Sequence, residues 1–268
     1  MGFNSMTLKP KTKAEDLLEK LTAFSRDKVL SEFEFIRLFN TAKSLIDVDA
    51  VQSWHLRGLI YFYANKVDEM DYAFKTALNL SSNNIILCNA IACYMNQACL
   101  QAAFNLFMQN VNYFINAKDF DLLIKLHRLA LNLYELPTID RLVNVLEPFK
   151  DIEEVAYVLA TIDDDIQNIE NRFLTRVNLE WKEANQIAIL ALDTLKTFKL
   201  RPNSIVEIDY LDGEVINSLY VFCDVNSILA ANDLLFEKVY SNNLLDIWQK
   251  LMFIFISSKD EHLEKDVA

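Results

Sequence analysis

Trp54, Gly58 and Tyr61 stand at i, i+4 and i+7 within VQSWHLRGLIYFYANKVDEMDYAFKTALNLSSNN, residues 51–84. That spacing puts all three on one face of a helix. A glycine in a helix interior costs about 1 kcal/mol relative to alanine, so something must offset it. Close approach of a second helix is the usual reason. The segment Val67 to Leu80 supplies such a helix, with Met70, Phe74, Ala77 and Leu78 on its inner side. Ala77 is small enough to meet Gly58 at short range. Ser81, Ser82, Asn83 and Asn84 then break the run and cap the next helix. The pattern predicts an antiparallel helix pair, wedged together where one residue lacks a side chain.

Trp54, Gly58, Tyr61, Phe74 and Ala77 fall where the tetratricopeptide repeat family places its signature residues, and residues 51–84 resemble one such repeat. The match has departures. Arg57 stands where the family prefers leucine, Met70 where it prefers alanine, and Ser82 where it closes with proline. Residues 85–118 resemble a degenerate second copy, with Ala92 in the place of Gly58 and Met95 in that of Tyr61. The resemblance implies a mainly α fold, a superhelix (solenoid) of antiparallel helix pairs. It also implies that the first helix of each pair lines a concave, partner-binding groove. The groove residues would be His55, Leu59, Phe62 and Tyr63, then Asn89, Cys93 and Asn96 one repeat on. Trp54, Gly58, Tyr61, Phe74 and Ala77 would be scaffold. Aromatic rings can anchor a partner and amides can pair with a peptide backbone. The alternative for Phe62 and Tyr63 is core packing.

Helical spacing extends along most of the chain. Residues 14–29 and 31–46 form a first predicted pair, with Ser31 and Glu34 in capping-box register. Further helices are expected at 84–116, 119–133, from Pro137 to Leu146, from Asp151 onward, and at 179–198. Pro148 breaks the helix before it. After Pro202 the character changes. SIVEIDYL (204–211) and EVINSLYVFC (214–223) are β-branched and flank Asp212-Gly213, a two-residue hairpin signal. Residues 224–239 return to helical spacing, and LMFIFIS (251–257) is an apolar run of strand length. The expected organisation is a tail at 1–13, helical repeats at 14–199, a small α+β (ββαβ) subdomain at 203–258, and a charged tail at 259–268.

Composition excludes several function classes. The only glycines are Gly2, Gly58 and Gly213, so phosphate-cradling and dinucleotide-binding loops are not expected, and neither is a cofactor that needs them. The three histidines, His55, His127 and His262, lack metal-ligand spacing, and none adjoins a serine or cysteine nucleophile. Cys88, Cys93 and Cys99 follow neither a zinc nor a redox pattern, and with Cys223 they read as reduced core thiols. Asp163, Asp164 and Asp165 fan around a helix and read as a solvated face rather than a metal site. A net charge of −12 argues against binding nucleic acid directly. No apolar run approaches the roughly 18 residues of a membrane helix. The opening MGFNSMTLKPKTK has no signal-like apolar core; Met6 is an alternative start.

The expected activity is protein binding by a cytoplasmic scaffold or adaptor, with no covalent step. A second reading is an acidic stoichiometric inhibitor, antitoxin-like or phage-type, that blocks a basic nucleic-acid-binding protein. The apolar run Leu251 to Ile256, if it lies at a sheet edge, offers a route to a homodimer.

Overall fold

The computed structural model describes residues 12–25, 28–117 and 120–258, and of residues 203–206 the backbone alone. The chain divides into two compact units, one up to Ala90 and one from Ile91.

The first unit holds α1 (Lys13–Thr22), α2 (Glu32–Lys43), α3 (Ala50–Tyr63), α4 (Val67–Leu80) and the start of α5 (Asn84–Asn96). Capping boxes open the first two helices, Thr12 with Glu15 and Ser31 with Glu34. The expected tail at 1–13 therefore yields Thr12 and Lys13 to α1; its other residues, and the tail at 259–268, lie outside the described residues. The helix expected at 14–29 stops at Thr22. The chain after it is held by α3 instead: the Leu30 N–H donates to the Tyr63 carbonyl at 3.0 Å, and the Phe24 ring meets Tyr63 edge-on at 5.3 Å. At the end of α2, the Ser53 hydroxyl donates to the Ala42 carbonyl at 2.8 Å. This satisfies one of the carbonyls that a helix end leaves open.

α3 and α4 form the predicted antiparallel pair, and α4 has the predicted limits. The occupant of the space at Gly58 differs from expectation. A Cβ built on Gly58 would lie 2.9 Å from Cδ1 of Phe74, and the three nearest atoms all belong to that ring. A large flat side chain fills the notch, rather than the small Ala77. Phe74, Ala77 and Met70 have no exposed surface.

With so few glycines, the helices end by an unusual choice of residue. Asn65, Ala98, Tyr134, Asn178, Lys199 and Asn243 all adopt the left-handed conformation. At each, the following N–H reaches back five residues to a carbonyl, as Lys66 does to Tyr61 at 3.0 Å and Cys99 to Tyr94 at 2.9 Å. These are Schellman terminators, in which glycine is the usual left-handed residue. Any other L-residue there costs about 1–2 kcal/mol. Exposed Lys199 provides a test. Lys199→Gly should stabilise the protein by about 0.5–1 kcal/mol after glycine's larger unfolded-state entropy is subtracted. Urea unfolding would measure it, and a lowered midpoint would oppose the assignment.

The first two of these turns, at Asn65 and Ala98, end α3 and α5 at points 33 positions apart. Around the second, Ile91 and Tyr94 are buried, and Ala92 and Met95 half-buried.

The second unit continues with α6 (Leu100–Gln109), α7 (Val111–Ala117), α8 (Asp121–Asn132), α9 (Leu136–Leu146) and a 3₁₀ turn (Glu147–Phe149) around Pro148. α10 (Glu153–Ile169) runs into a π-helical turn (Glu170–Leu174) and α11 (Thr175–Val177); α12 (Trp181–Phe198) follows. Then come β1 (Pro202–Leu211), β2 (Glu214–Val221), α13 (Val225–Ser241), α14 (Leu245–Trp248) and β3 (Leu251–Ser257). The ββαβ order is as expected. Asp212 and Gly213 both have positive φ, 49° and 94°, the requirement of a type I′ hairpin turn. β1 pairs antiparallel with β2, and β2 pairs parallel with β3, so β2 is central.

The compact unit that begins at Ile91 runs through residue 200. α12 packs against both α13 and β3. The Tyr134 hydroxyl, after α8, donates to Asn217 Oδ1 on β2 at 2.9 Å, and Asn217 Nδ2 donates to the Met252 carbonyl of β3 at 3.2 Å. The sheet thus shares a core with the helices before it. No described helix is long and apolar enough to cross a membrane.

Candidate functional site

The face of α3 expected to line a groove is packed. α3 touches α1, α2 and α4, so few of its side chains reach water. His55 is 1% exposed, Leu59 7%, Phe62 6% and Tyr63 8%. Asn89 and Asn96 on α5 are half-buried, and Cys93 is 6% exposed. Asn89 lies in the first unit, with His55; Cys93 and Asn96 belong to the second. Of the two alternatives for Phe62 and Tyr63, core packing describes their surroundings. Among the scaffold residues Gly58, Phe74 and Ala77 are buried, and Trp54 and Tyr61 are half-buried.

His55 is the centre of a small polar cluster. Its Nε2 lies 3.0 Å from Asn89 Nδ2, and its Nδ1 lies 3.3 Å from Gln52 Oε1. An amide nitrogen can only donate, so Nε2 accepts and Nδ1 carries the proton towards Gln52. The ring is a satisfied neutral imidazole joining α3 to α5. Burial strips hydration from the charged form and pushes the pKa from 6.5 down to about 4. The unfolded chain therefore takes up this proton first as pH falls, and stability is lost between pH 6.5 and pH 4. At pH 5 the loss from His55 is roughly 2 kcal/mol. His55→Gln should remove that component from a profile of stability against pH; superimposable profiles would overturn the assignment.

The other groups with chemical capacity are also engaged. Burial raises the Cys93 thiol pKa well above its usual range, against a smaller opposing pull from Arg201. The thiol form is therefore favoured, and it is a poor nucleophile. Asn96 spends its amide on its own helix, donating to the Ala92 carbonyl at 2.7 Å.

Sequence reasoning missed two features. The Arg57 guanidinium stacks 3.5 Å from the Trp54 ring centroid and 5.1 Å from that of Phe39. Lys66 Nζ lies 4.5 Å over Phe35, and Phe35, Phe39 and Tyr61 pack ring against ring. The signal was Arg57 itself, a cation three residues from a tryptophan at a position where leucine was expected. The second is a dyad between α8 and α10. His127 Nε2 lies 3.0 Å from Asp165 Oδ2, with the imidazole 1% exposed and its buried Nδ1 without a hydrogen bond. Burial lowers the His127 pKa, and Asp165 only partly opposes it. Asp165 thus serves as an acceptor for a neutral histidine. Its neighbour Asp163 accepts from Gln167 at 2.9 Å, so the acidic triplet points several ways. Among the described residues no group of three His, Cys, Asp or Glu side chains could hold a metal ion.

A shallow depression of about 700 Å³ between α1 and α2 is lined by Lys13, Lys20 and Arg37 against one carboxylate, Asp16. It is locally cationic on an acidic chain. Comparison of the chain with protein-family models, with curated proteins and with solved structures finds no match.

Proposed function

We propose that the chain is a non-catalytic protein-binding scaffold, a tetratricopeptide-like set of helical hairpins acting in the cytoplasm. The observation that carries this reading is apolar surface left uncovered on helix faces. Phe33 of α2 is 74% exposed, Tyr72 of α4 63% and Tyr240 of α13 66%. Exposed aromatic side chains of this kind are the usual material of protein interfaces. The α3–α4 hairpin supports the scaffold half of the reading, since its one interior glycine is spent on helix–helix contact. The groove half is changed: a partner would meet outward faces, because the α3 face is occupied by the protein's own core.

The test is capture on the immobilised full-length chain, read by mass spectrometry at low and high salt. A saturable partner that survives high salt is expected. Recovery of nothing beyond a tag-only control would end the scaffold reading. Capture confined to basic nucleic-acid-binding proteins and lost in salt would favour the inhibitor reading instead, for which the net charge of −12 is the support.

A further inference from the structure

α13 carries two apolar rows, and among the described residues only one is buried. Ile228, Ala231, Leu235 and Val239 are buried, as its contacts with α12 and β3 require. Val225, Leu229, Phe236 and Tyr240 form a second row, 57%, 57%, 49% and 66% exposed. Their spacing of four, seven and four residues keeps them on one side of the helix, centred about 100° from the buried row and spanning about 22 Å. Trp248 extends the row, its ring edge-on to Phe236 at 6.5 Å.

The helix is clamped in place from below. Asn232 lies between the two rows. It accepts from the Phe255 N–H at 2.9 Å and donates to the Phe255 carbonyl at 3.1 Å. These bonds occupy backbone groups of Phe255 that another strand could otherwise use. They therefore oppose the expected homodimer through the 251–256 edge, and they fix the outer row in orientation before any partner arrives.

Charge selects the occupant. Asp233 and Glu237 are exposed beside the row. The one cation on α13, Lys238, is already paired with Asp193 at 2.7 Å. A second copy docking antiparallel through this face would set these carboxylates beside their own counterparts, and α13 itself brings no unpaired cation to offset them. We propose that the outer row of α13 docks an amphipathic helix of a partner protein, one with Lys or Arg flanking its apolar stripe. This rests on the scaffold reading above and deepens it. The apolar row would supply the buried area, and the carboxylates orientation and rate of encounter.

The experiment titrates the full-length chain with a synthetic helical peptide of about 16 residues, Leu at i, i+4 and i+7 and Lys on its flanks. Fluorescence anisotropy of a labelled peptide reads the binding. Two controls share its length: a scrambled peptide of the same composition, and one with Glu for every Lys. The basic amphipathic peptide should bind at least roughly tenfold more tightly than either control. Leu229→Ser/Phe236→Ser should lose that advantage while keeping the wild-type circular dichroism spectrum. Equal binding of the scrambled peptide, or unchanged binding by the double variant, would overturn the proposal. So would a wild-type dimer in sedimentation that dissociates in the double variant, since the occupant would then be a second copy. A natural partner captured equally by wild type and double variant would overturn the α13 site and leave the scaffold reading standing.

Discussion

Phe74→Ala is expected to destabilise the first unit by roughly 3–5 kcal/mol. Phe74 is fully buried, and its ring fills the space beside Gly58, where even a Cβ would sit at 2.9 Å. Removing it opens a cavity at the narrowest point of the α3–α4 hairpin, where neither backbone can collapse without disturbing α1 and α2, which also touch α3. The reciprocal change, Gly58→Leu, should cost roughly 1–3 kcal/mol or more, because overpacking against an aromatic ring forces the helices apart. Combining the two is the decisive measurement. The added leucine would occupy the volume that phenylalanine leaves, so the double variant should be more stable than the sum of the single losses predicts. Chemical denaturation of the four proteins gives the coupling. Strict additivity would show that residues 58 and 74 do not share one space.

Tyr134→Ala should cost a similar amount, roughly 3–5 kcal/mol, in the second unit. The side chain is 1% exposed, packed between Trp181 at 5.9 Å and Phe253 at 6.2 Å. Its hydroxyl donates to Asn217 Oδ1, and burial raises the phenol pKa well above its usual range. Tyr134→Phe isolates the polar part. It leaves Asn217, itself without exposed surface, one donor short, and should cost about 1–3 kcal/mol. Stability of Tyr134→Phe equal to wild type would mean that the bond contributes nothing.

Both predictions concern residues whose importance could be only half seen in the chain. Gly58 was marked by its helical context, because an interior glycine demands a close neighbour. The identity of that neighbour was not marked, because Phe74 and Ala77 lie one turn apart on the same side of α4 and spacing cannot rank them. Tyr134 carried no signal of its own. It ends a helix in the left-handed region, a place where glycine or asparagine would have been expected, and its partner lies 83 residues further on.

The candidate site divides in the same way. The resemblance to a repeat family implied that His55, Leu59, Phe62 and Tyr63 share one side of α3. An apolar side of a helix records that something covers it; it does not record whether the cover is a peptide or the protein's own chain. Here the chain after α1 turns back onto Tyr63. The stripe Val225, Leu229, Phe236 and Tyr240 poses the reverse case: helical spacing again, with about half of each side chain exposed among the described residues.

Local chemistry placed the Ser31–Glu34 capping box, the limits of α4, the Asp212-Gly213 hairpin and the ββαβ order. Each depends on dihedral preference and side-chain period over a few neighbouring residues. Long-range packing settled the rest: the ring beside Gly58, the Arg57 stack on Trp54 and Phe39, the pairing of His127 with Asp165, and the sheet's shared core with the preceding helices. Most of these contacts join residues more than a dozen positions apart. Which apolar or polar groups meet is then a matter of excluded volume and desolvation in the folded chain, and neither leaves a period in the order of the amino acids.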